Sequence, residues 1–178
     1  ALAAVVTVEV ARVWSRSAAK REAFAGETAE RLGIRVEPAA SAEEAVEGAD
    51  IIVTPTNSAE PVLEAGWVAS GAHVNAMGSN QPRRREVPAE LLRRAGLIAV
   101  DSLEQSRMES GDLILGLSER EWAAVVELKD VVAGRVSRRS ADEITLFKSN
   151  GLAVEDVAAA GWVYERAVAA GAGKPAYS

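Results

Sequence analysis

Four short clusters of hydroxyl, amide and glycine residues are candidates for ligand chemistry, because each directly follows an apolar segment. They are Ser15-Arg16-Ser17, Thr54-Pro55-Thr56-Asn57-Ser58, Gly78-Ser79-Asn80 and Asp101-Ser102. Such residues suit a nucleotide, since ribose and phosphate groups need hydrogen-bond donors and a close approach of the backbone. A tight turn without a ligand explains any single cluster about as well. Four clusters at the ends of successive apolar segments favour a ligand site.

The cluster around Arg16 indicates which nucleotide is bound. A site selective for NAD usually has Asp or Glu at the end of the second strand, where the carboxylate binds the ribose 2′-hydroxyl. Here that carboxylate is absent, and Arg16 lies between Ser15 and Ser17. A guanidinium group and two hydroxyls can hold a 2′-phosphate through charge-assisted hydrogen bonds, which predicts NADP as the cofactor, with NAD as the alternative. An exposed Arg at the start of a helix is the competing interpretation.

Composition and charge exclude several classes of partner, metal site and reaction. The 178 residues suffice for one domain with a real core, and 48% hydrophobic and 26% charged residues are typical of globular proteins. A net charge of −6 argues against nucleic acid as a partner. With no cysteine and one histidine, His73, thiolate chemistry and a multi-histidine metal site are excluded. No apolar run is long enough for a bilayer and no signal peptide is evident, which predicts a cytoplasmic protein without a membrane partner.

Short apolar strands alternate with helices along the chain. Strands are predicted near residues 8–14, 34–36, 50–54, 73–77, 97–100 and 143–147, and helices over residues 18–32, 41–46, 88–95, 103–110, 118–128 and 152–170. Ser17 is placed to cap the first helix, which Gly33 ends, and Ser41 opens a capping box. The alternation predicts an α/β fold, a Rossmann-like doubly wound parallel sheet with C-terminal helices.

The glycine-rich turn that holds a dinucleotide pyrophosphate is not found at the start of the sequence. Nothing before Thr7 matches the pattern G-x-G-x-x-G. We therefore expect residues 1–5 to be the end of the helix that follows such a turn, and Thr7 to begin the second strand. On this interpretation the sheet is incomplete at its N-terminus.

Several strings resemble the ornithine cyclodeaminase / mu-crystallin family in order and spacing. They are VWSRS, ADIIVTPTNSAEPVL, GAHVNAMGSNQPRRREVP, VDSLEQSRMESGDL and EITLFKSNGLAVEDVAAAGWVYERA. The resemblance covers nearly the whole chain. It implies an NAD(P)-dependent oxidoreductase, a homodimer that acts on a small imino or amino acid as an imine or ketimine reductase or amino-acid dehydrogenase. Two alternatives stay open: a cyclodeaminase-type lyase that uses NAD, and a truncated, non-catalytic binding module.

The resemblance also implies which residues bind the cofactor. They are Ser15, Arg16 and Ser17 at the ribose and 2′-phosphate, Thr54, Pro55 and Thr56 along the dinucleotide, Met77, Gly78 and Ser79 near the nicotinamide, and Gly151 in a turn that closes over it. A structural role explains Lys148 and Asn150 of that turn at least as well. No catalytic residue and no metal ligand is assigned.

Two departures from the family pattern refine the expectation. The lyase and alanine dehydrogenase branches carry a catalytic Asp where this chain has Ser79 or Asn80, which favours the reductase branch. The N-terminal half that supplies the glycine loop, a catalytic Lys and most of the dimer interface in the family is not in this sequence. Residues 1–136 are therefore predicted to be a partial Rossmann domain, and residues 137–178 a strand and helix returning toward the substrate domain.

Overall fold

Parallel strands form two sheets in the computed structural model, which describes residues 2–174. The strands are β1 (Val10–Val13), β2 (Arg35–Pro38), β3 (Ile51–Thr54), β4 (His73–Ala76), β5 (Leu97–Val100), β6 (Val126–Glu127) and β7 (Thr145–Lys148). β1 pairs with β2, and the larger sheet has the order β3-β4-β7-β5-β6. Every pairing in the described part of the chain is parallel. The five strands first predicted between residues 8 and 100 are confirmed, and so is the parallel sheet.

Helices connect most of these strands, as parallel pairing requires. They are α1 (Ala18–Leu32), α2 (Ala42–Val46), α3 (Ala89–Arg94), α4 (Leu103–Glu109), α5 (Gly111–Ile114), α6 (Glu119–Trp122), α7 (Leu128–Val132) and α8 (Ala153–Ala169). None of the helices described is both long and apolar enough to cross a bilayer. Of the first five residues, expected to end a helix, Leu2–Ala4 form a 3-10 turn, and Ala1 lies outside the described residues.

Side chains and glycine define the helix ends as predicted. The Ser17 hydroxyl accepts the N–H of Lys20 at the start of α1, and Gly33 ends that helix with a positive φ of 65°. At α2 the Ser41 hydroxyl accepts the N–H of Glu44 at 3.0 Å. The Glu44 carboxylate returns a contact to the N–H one residue before Ser41, at 2.7 Å. Both helices therefore begin where local capping chemistry places them.

One hydrophobic cluster fills the space between the larger sheet and its helices. Val74 of β4, Leu146 of β7 and Val100 of β5 are at most 1% exposed, as are Leu91 of α3 and Leu113 of α5. Burial of each such side chain stabilises the fold by about 1.5–3 kcal/mol. These contacts hold the strand ends of the larger sheet in a fixed arrangement.

The predicted helix over residues 118–128 is wrong in its second half. Helix α6 ends at Trp122, and Val126 and Glu127 form β6, which pairs with the end of β5. Trp122 and Val125 are buried, so the apolar spacing did identify core residues. The β-branched Val126 favours a strand, and the free edge of β5 offers it backbone hydrogen bonds. Helical periodicity within a short segment cannot reveal such an edge.

A cleft of about 120 Å³ separates the two sheets. Its walls include Arg12 and Trp14 on one side and all of β3 on the other. No backbone hydrogen bond joins β1 to β3 in residues 2–174, so the facing edges of these strands are unpaired. Arg12 ties its strand to the end of α2 by donating to the carbonyl oxygen of Glu44 at 3.0 Å. The expectation that the sheet is incomplete at its N-terminus stays a prediction.

Segment 137–178 contributes both to the sheet and to the surface. Its strand β7 lies between β4 and β5, in the middle of the larger sheet. Its helix α8 has no buried residue, and Trp162, Val163 and Tyr164 are all more than half exposed. Residues 175–178 lie outside the described part. The predicted domain boundary between residues 136 and 137 stays a prediction.

Candidate functional site at the strand ends

The turns after four parallel strands meet at one edge of the larger sheet. Since β3, β4, β7 and β5 are neighbours and point the same way, the residues that follow each strand lie side by side. This brings together the clusters that begin at Thr54, Gly78 and Asp101, and it adds the turn after Lys148. Ligands of open α/β sheets bind beyond this edge. The cluster around Arg16 follows β1, across the cleft.

The predicted cofactor-binding residues differ in accessibility. Arg16, Ser17, Pro55, Met77 and Gly151 are exposed, Ser15, Thr56 and Gly78 are partly buried, and Thr54 and Ser79 are buried. The exposed members can contact a ligand directly. The buried members can shape the turns that carry them.

Around Arg16, hydrogen bonds fix the backbone and leave the guanidinium group free. The Ser15 hydroxyl donates to the carbonyl oxygen of Ser17 at 3.0 Å, and the Arg21 guanidinium donates to the carbonyl oxygen of Ser15 at 3.1 Å. The Ser17 hydroxyl caps α1. Within residues 2–174 the Arg16 side chain forms neither an ion pair nor a hydrogen bond. An exposed cation on a hydrogen-bonded loop at a helix start is suited to bind an anionic group.

Asp101 organises the turn that follows β7. One carboxylate oxygen accepts the N–H groups of Asn150 and Gly151, each at 2.7 Å, and the Ser149 hydroxyl at 3.2 Å. Gly151 has a positive φ of 84°, which few other residues adopt. The sequence placed Asp101 at a strand end but did not reveal that its partners lie some fifty residues later.

Lys148 is part of the buried framework. Its ammonium group lies 3.3 Å from Asp112, both side chains are fully buried, and Lys148 also donates to the carbonyl oxygen of Ser79. Asp112 in turn accepts the N–H groups of Glu86 and Val87, at 2.6 and 2.9 Å. These contacts support the structural interpretation of Lys148. They also show two carboxylates, Glu86 and Asp112, that the sequence did not single out, because charged residues ordinarily indicate exposed positions.

The His73 imidazole lies away from this edge. It starts β4, whereas the site follows the end of that strand. Its Nδ1 lies 2.7 Å from the Thr145 hydroxyl, and burial lowers the pKa of His73 below its usual value. This geometry assigns His73 to the opposite end of the sheet.

Gly78 and Ser79, in the turn after β4, are both tightly enclosed by neighbouring residues. Gly78 touches the turn after β3 so tightly that a Cβ would overlap the backbone N and O of Thr56. Ser79 is 4% exposed, and its buried hydroxyl has no hydrogen-bond partner in the part of the chain described. A buried hydroxyl without a partner is costly, and a hydrogen bond from a group that completes the site would offset that cost.

Substitution of Gly78 by alanine is expected to destabilise the fold by about 1–3 kcal/mol, the usual cost of overpacking. The added methyl group would push the turns after β3 and β4 apart. Urea unfolding of the intact gene product measures the change. Gly161→Ala is the matched control, because nothing lies within 4 Å of that position in α8 and alanine favours a helix. Equal unfolding midpoints for Gly78→Ala and the unaltered protein would contradict the steric argument.

The fold and the site together define a Rossmann-like nucleotide-binding class of protein. A sequence model of the ornithine cyclodeaminase/mu-crystallin family matches residues 1–171. The chain belongs to this family, as the five sequence motifs quoted above predicted.

The proteins to which this chain is similar include two reductases. The chain is 38% identical to a Δ1-pyrroline-2-carboxylate reductase of Bacillus cereus, over 98% of this chain and 54% of that protein. It is 40% identical to the ketimine reductase mu-crystallin of Mus musculus, over 86% of this chain and 46% of that protein. Among solved structures, the Thermococcus litoralis Δ1-pyrroline-2-carboxylate reductase in complex with NADH and L-proline superposes with a TM-score of 0.90. That match has 37% identity and covers 97% of this chain and 55% of the other.

The likeness to this solved structure confirms the Rossmann-like fold. The matched region is a different share of this chain and of its relatives. Nearly all of this chain is matched, yet the chain spans about half the length of these relatives. The activity, substrate and assembly of the whole protein are therefore matters for proposal.

Proposed function

We propose that the protein is an NAD(P)-dependent oxidoreductase that reduces the C=N bond of a small cyclic imine or 2-imino acid. One observation supports this most directly: in a chain of this family, polar turns meet at the ends of four adjacent parallel strands. The relatives named as pyrroline-2-carboxylate and ketimine reductases act on this class of compound. The reduced nicotinamide would supply the hydride for the imine carbon, and the imine nitrogen would take up a proton. An assay of NADPH and NADH oxidation with a panel of cyclic imino acids tests the proposal.

The described residues fit a bound dinucleotide. Arg16, flanked by two serines, would hold the 2′-phosphate of NADP, and the exposed Met77 and Gly151 would lie against the remaining cofactor. The buried hydroxyl of Ser79, at the same edge, would gain a hydrogen-bond partner if a bound group completed the site. When bound, the cofactor supplies the hydride. The residues of this chain would bind and orient it.

Buried carboxylates favour the reductase over a cyclodeaminase-type lyase. A lyase needs a base at the turn after β4, where this chain has Ser79 and Asn80. Glu86, which contacts that turn, and Asp112, which pairs with Lys148 beside it, are at most 1% exposed and already accept hydrogen bonds. Neither is free to take a proton from a substrate. A homodimer in the cytoplasm, with a small imino or amino acid as its substrate, completes the proposal.

Arg16→Ala is expected to raise the Kd for NADPH about tenfold or more and to leave the Kd for NADH nearly unchanged. The reason is the loss of a charge-assisted bond to the 2′-phosphate, a group that NADH lacks. Fluorescence titration of the intact gene product with each cofactor measures both values. Arg31→Ala is the control, since it removes an exposed cation of the same type from the far end of α1. Equal losses for the two cofactors would count against the assignment of Arg16.

A further inference from the structure

The buried carboxylate of Glu86 joins two of the turns on which the dinucleotide is proposed to lie. The residue is 0% exposed and precedes α3. One oxygen accepts the N–H of Thr56 at 2.5 Å. The other accepts the N–H of Gly78 at 2.8 Å and the hydroxyl of Thr54 at 3.1 Å. The donors lie at the end of β3 and in the turns after β3 and β4, so one side chain links two adjacent strand ends.

Hydrogen bonds alone stabilise the Glu86 carboxylate. In residues 2–174 no cation forms an ion pair with it, and a buried carboxylate is tolerated only when its oxygens find donors. Three donors meet this need. Asp112 holds the backbone of the same residue by accepting its N–H at 2.6 Å. Hydrogen bonds therefore fix both the side chain and the backbone of Glu86. A change in the carboxylate alters the hydrogen bonds of both turns.

The direction of these bonds decides which atoms face outward. Because the N–H groups of Thr56 and Gly78 point inward to Glu86, they are not offered to a ligand. The same holds for the Thr54 hydroxyl. Two residues beside these donors are exposed instead. Pro55 lies between Thr54 and Thr56, and Met77, directly before Gly78, is 54% exposed. Glu86 itself has no accessible oxygen with which to touch a cofactor or a substrate.

We propose that Glu86 is a positioning residue for the dinucleotide, holding the turns after β3 and β4 in the conformation that the cofactor contacts. This rests on the proposed NAD(P) function. It adds a residue that acts only through Thr54, Thr56 and Gly78. NADH and NADPH differ only at the 2′-phosphate, so the loss of Glu86 weakens both cofactors alike. Loss of Arg16, by contrast, affects only one of them.

The test replaces Glu86 with glutamine in the intact gene product and measures the Kd for both cofactors. An amide nitrogen cannot accept a hydrogen bond, so either the Thr56 or the Gly78 N–H loses its acceptor. The Kd for NADH and the Kd for NADPH are each expected to rise about tenfold or more. Glu90→Gln removes an exposed charge nearby, and Leu91→Ala lowers stability from the hydrophobic core at a residue of α3, outside the two turns. Neither control is expected to change the Kd values while the protein remains folded.

A second variant keeps the test decisive if Glu86→Gln does not fold. Thr54→Val removes one of the three donors and keeps the shape of the side chain, and it is expected to raise both Kd values about two- to fivefold. Unchanged Kd values in the folded variants overturn the positioning role and leave the proposed function standing. An equal rise in Leu91→Ala would also overturn it, as an effect of stability. If the unaltered protein binds neither dinucleotide, the proposed function fails and this role fails with it.

Discussion

Lys148→Met is expected to destabilise the protein by about 3–5 kcal/mol, because it leaves the Asp112 carboxylate buried without its cation. Both side chains are fully buried at a separation of 3.3 Å, so water cannot take the place of the missing ammonium group. The substitution also removes the donor to the carbonyl oxygen of Ser79. Chemical unfolding of the intact gene product measures the loss. The turn after β4 is expected to loosen first.

Two further variants make this expectation specific. Asp112→Asn in the Lys148→Met background neutralises the orphaned carboxylate, so the double variant is expected to be more stable than the sum of the single losses allows. Arg135→Met removes one partner of an exposed ion pair, in which Arg135 lies 2.6 Å from Asp130, and it is expected to cost less than about 1 kcal/mol. An unfolding midpoint for Lys148→Met as close to the unaltered value as that of Arg135→Met would refute the buried-pair argument.

The 178-residue polypeptide alone is expected to bind NADPH weakly and to show no turnover. Tight binding of the pyrophosphate in this fold uses backbone N–H groups of a glycine-rich turn at a helix start. No glycine is among the described residues that line the cleft between β1 and β3. Two lost charge-assisted bonds amount to about 3–6 kcal/mol, which raises the Kd by a factor of about a hundred or more. Calorimetric titration of this polypeptide beside the intact gene product measures the difference.

Self-association of the same polypeptide is the second expected result. The edges of β1 and β3 that face the cleft are unpaired, and Val10, Ile51 and Val53 are each roughly 40% exposed. Uncovered strand edges of this kind pair with other chains. Light scattering at several concentrations measures the mass. Micromolar binding of NADPH by a clean monomer would contradict both results, and would mean that contacts other than a glycine-rich turn hold the cofactor.

The sequence by itself determined the local structure and the family. Apolar runs predicted the strands at residues 50–54 and 97–100, because buried parallel strands need apolar side chains on both faces. Alternating apolar residues predicted the strand near residues 8–14. Ser17 and Gly33 predicted the ends of α1, since capping and positive φ are properties of one or two residues. The hydroxyl and glycine clusters predicted which edge of the sheet carries the site. All of these signals act over a few neighbouring residues.

Only the tertiary structure decided the strand order, the edge strand and the framework under the site. The place of β7 between β4 and β5, and the pairing of β6 with β5, depend on hydrogen bonds between distant segments. The burial of Glu86, Lys148 and Asp112 depends on partners from 8 to 69 residues away, which no local pattern reveals. Charged residues are buried only where such partners converge, and convergence is a property of the folded chain.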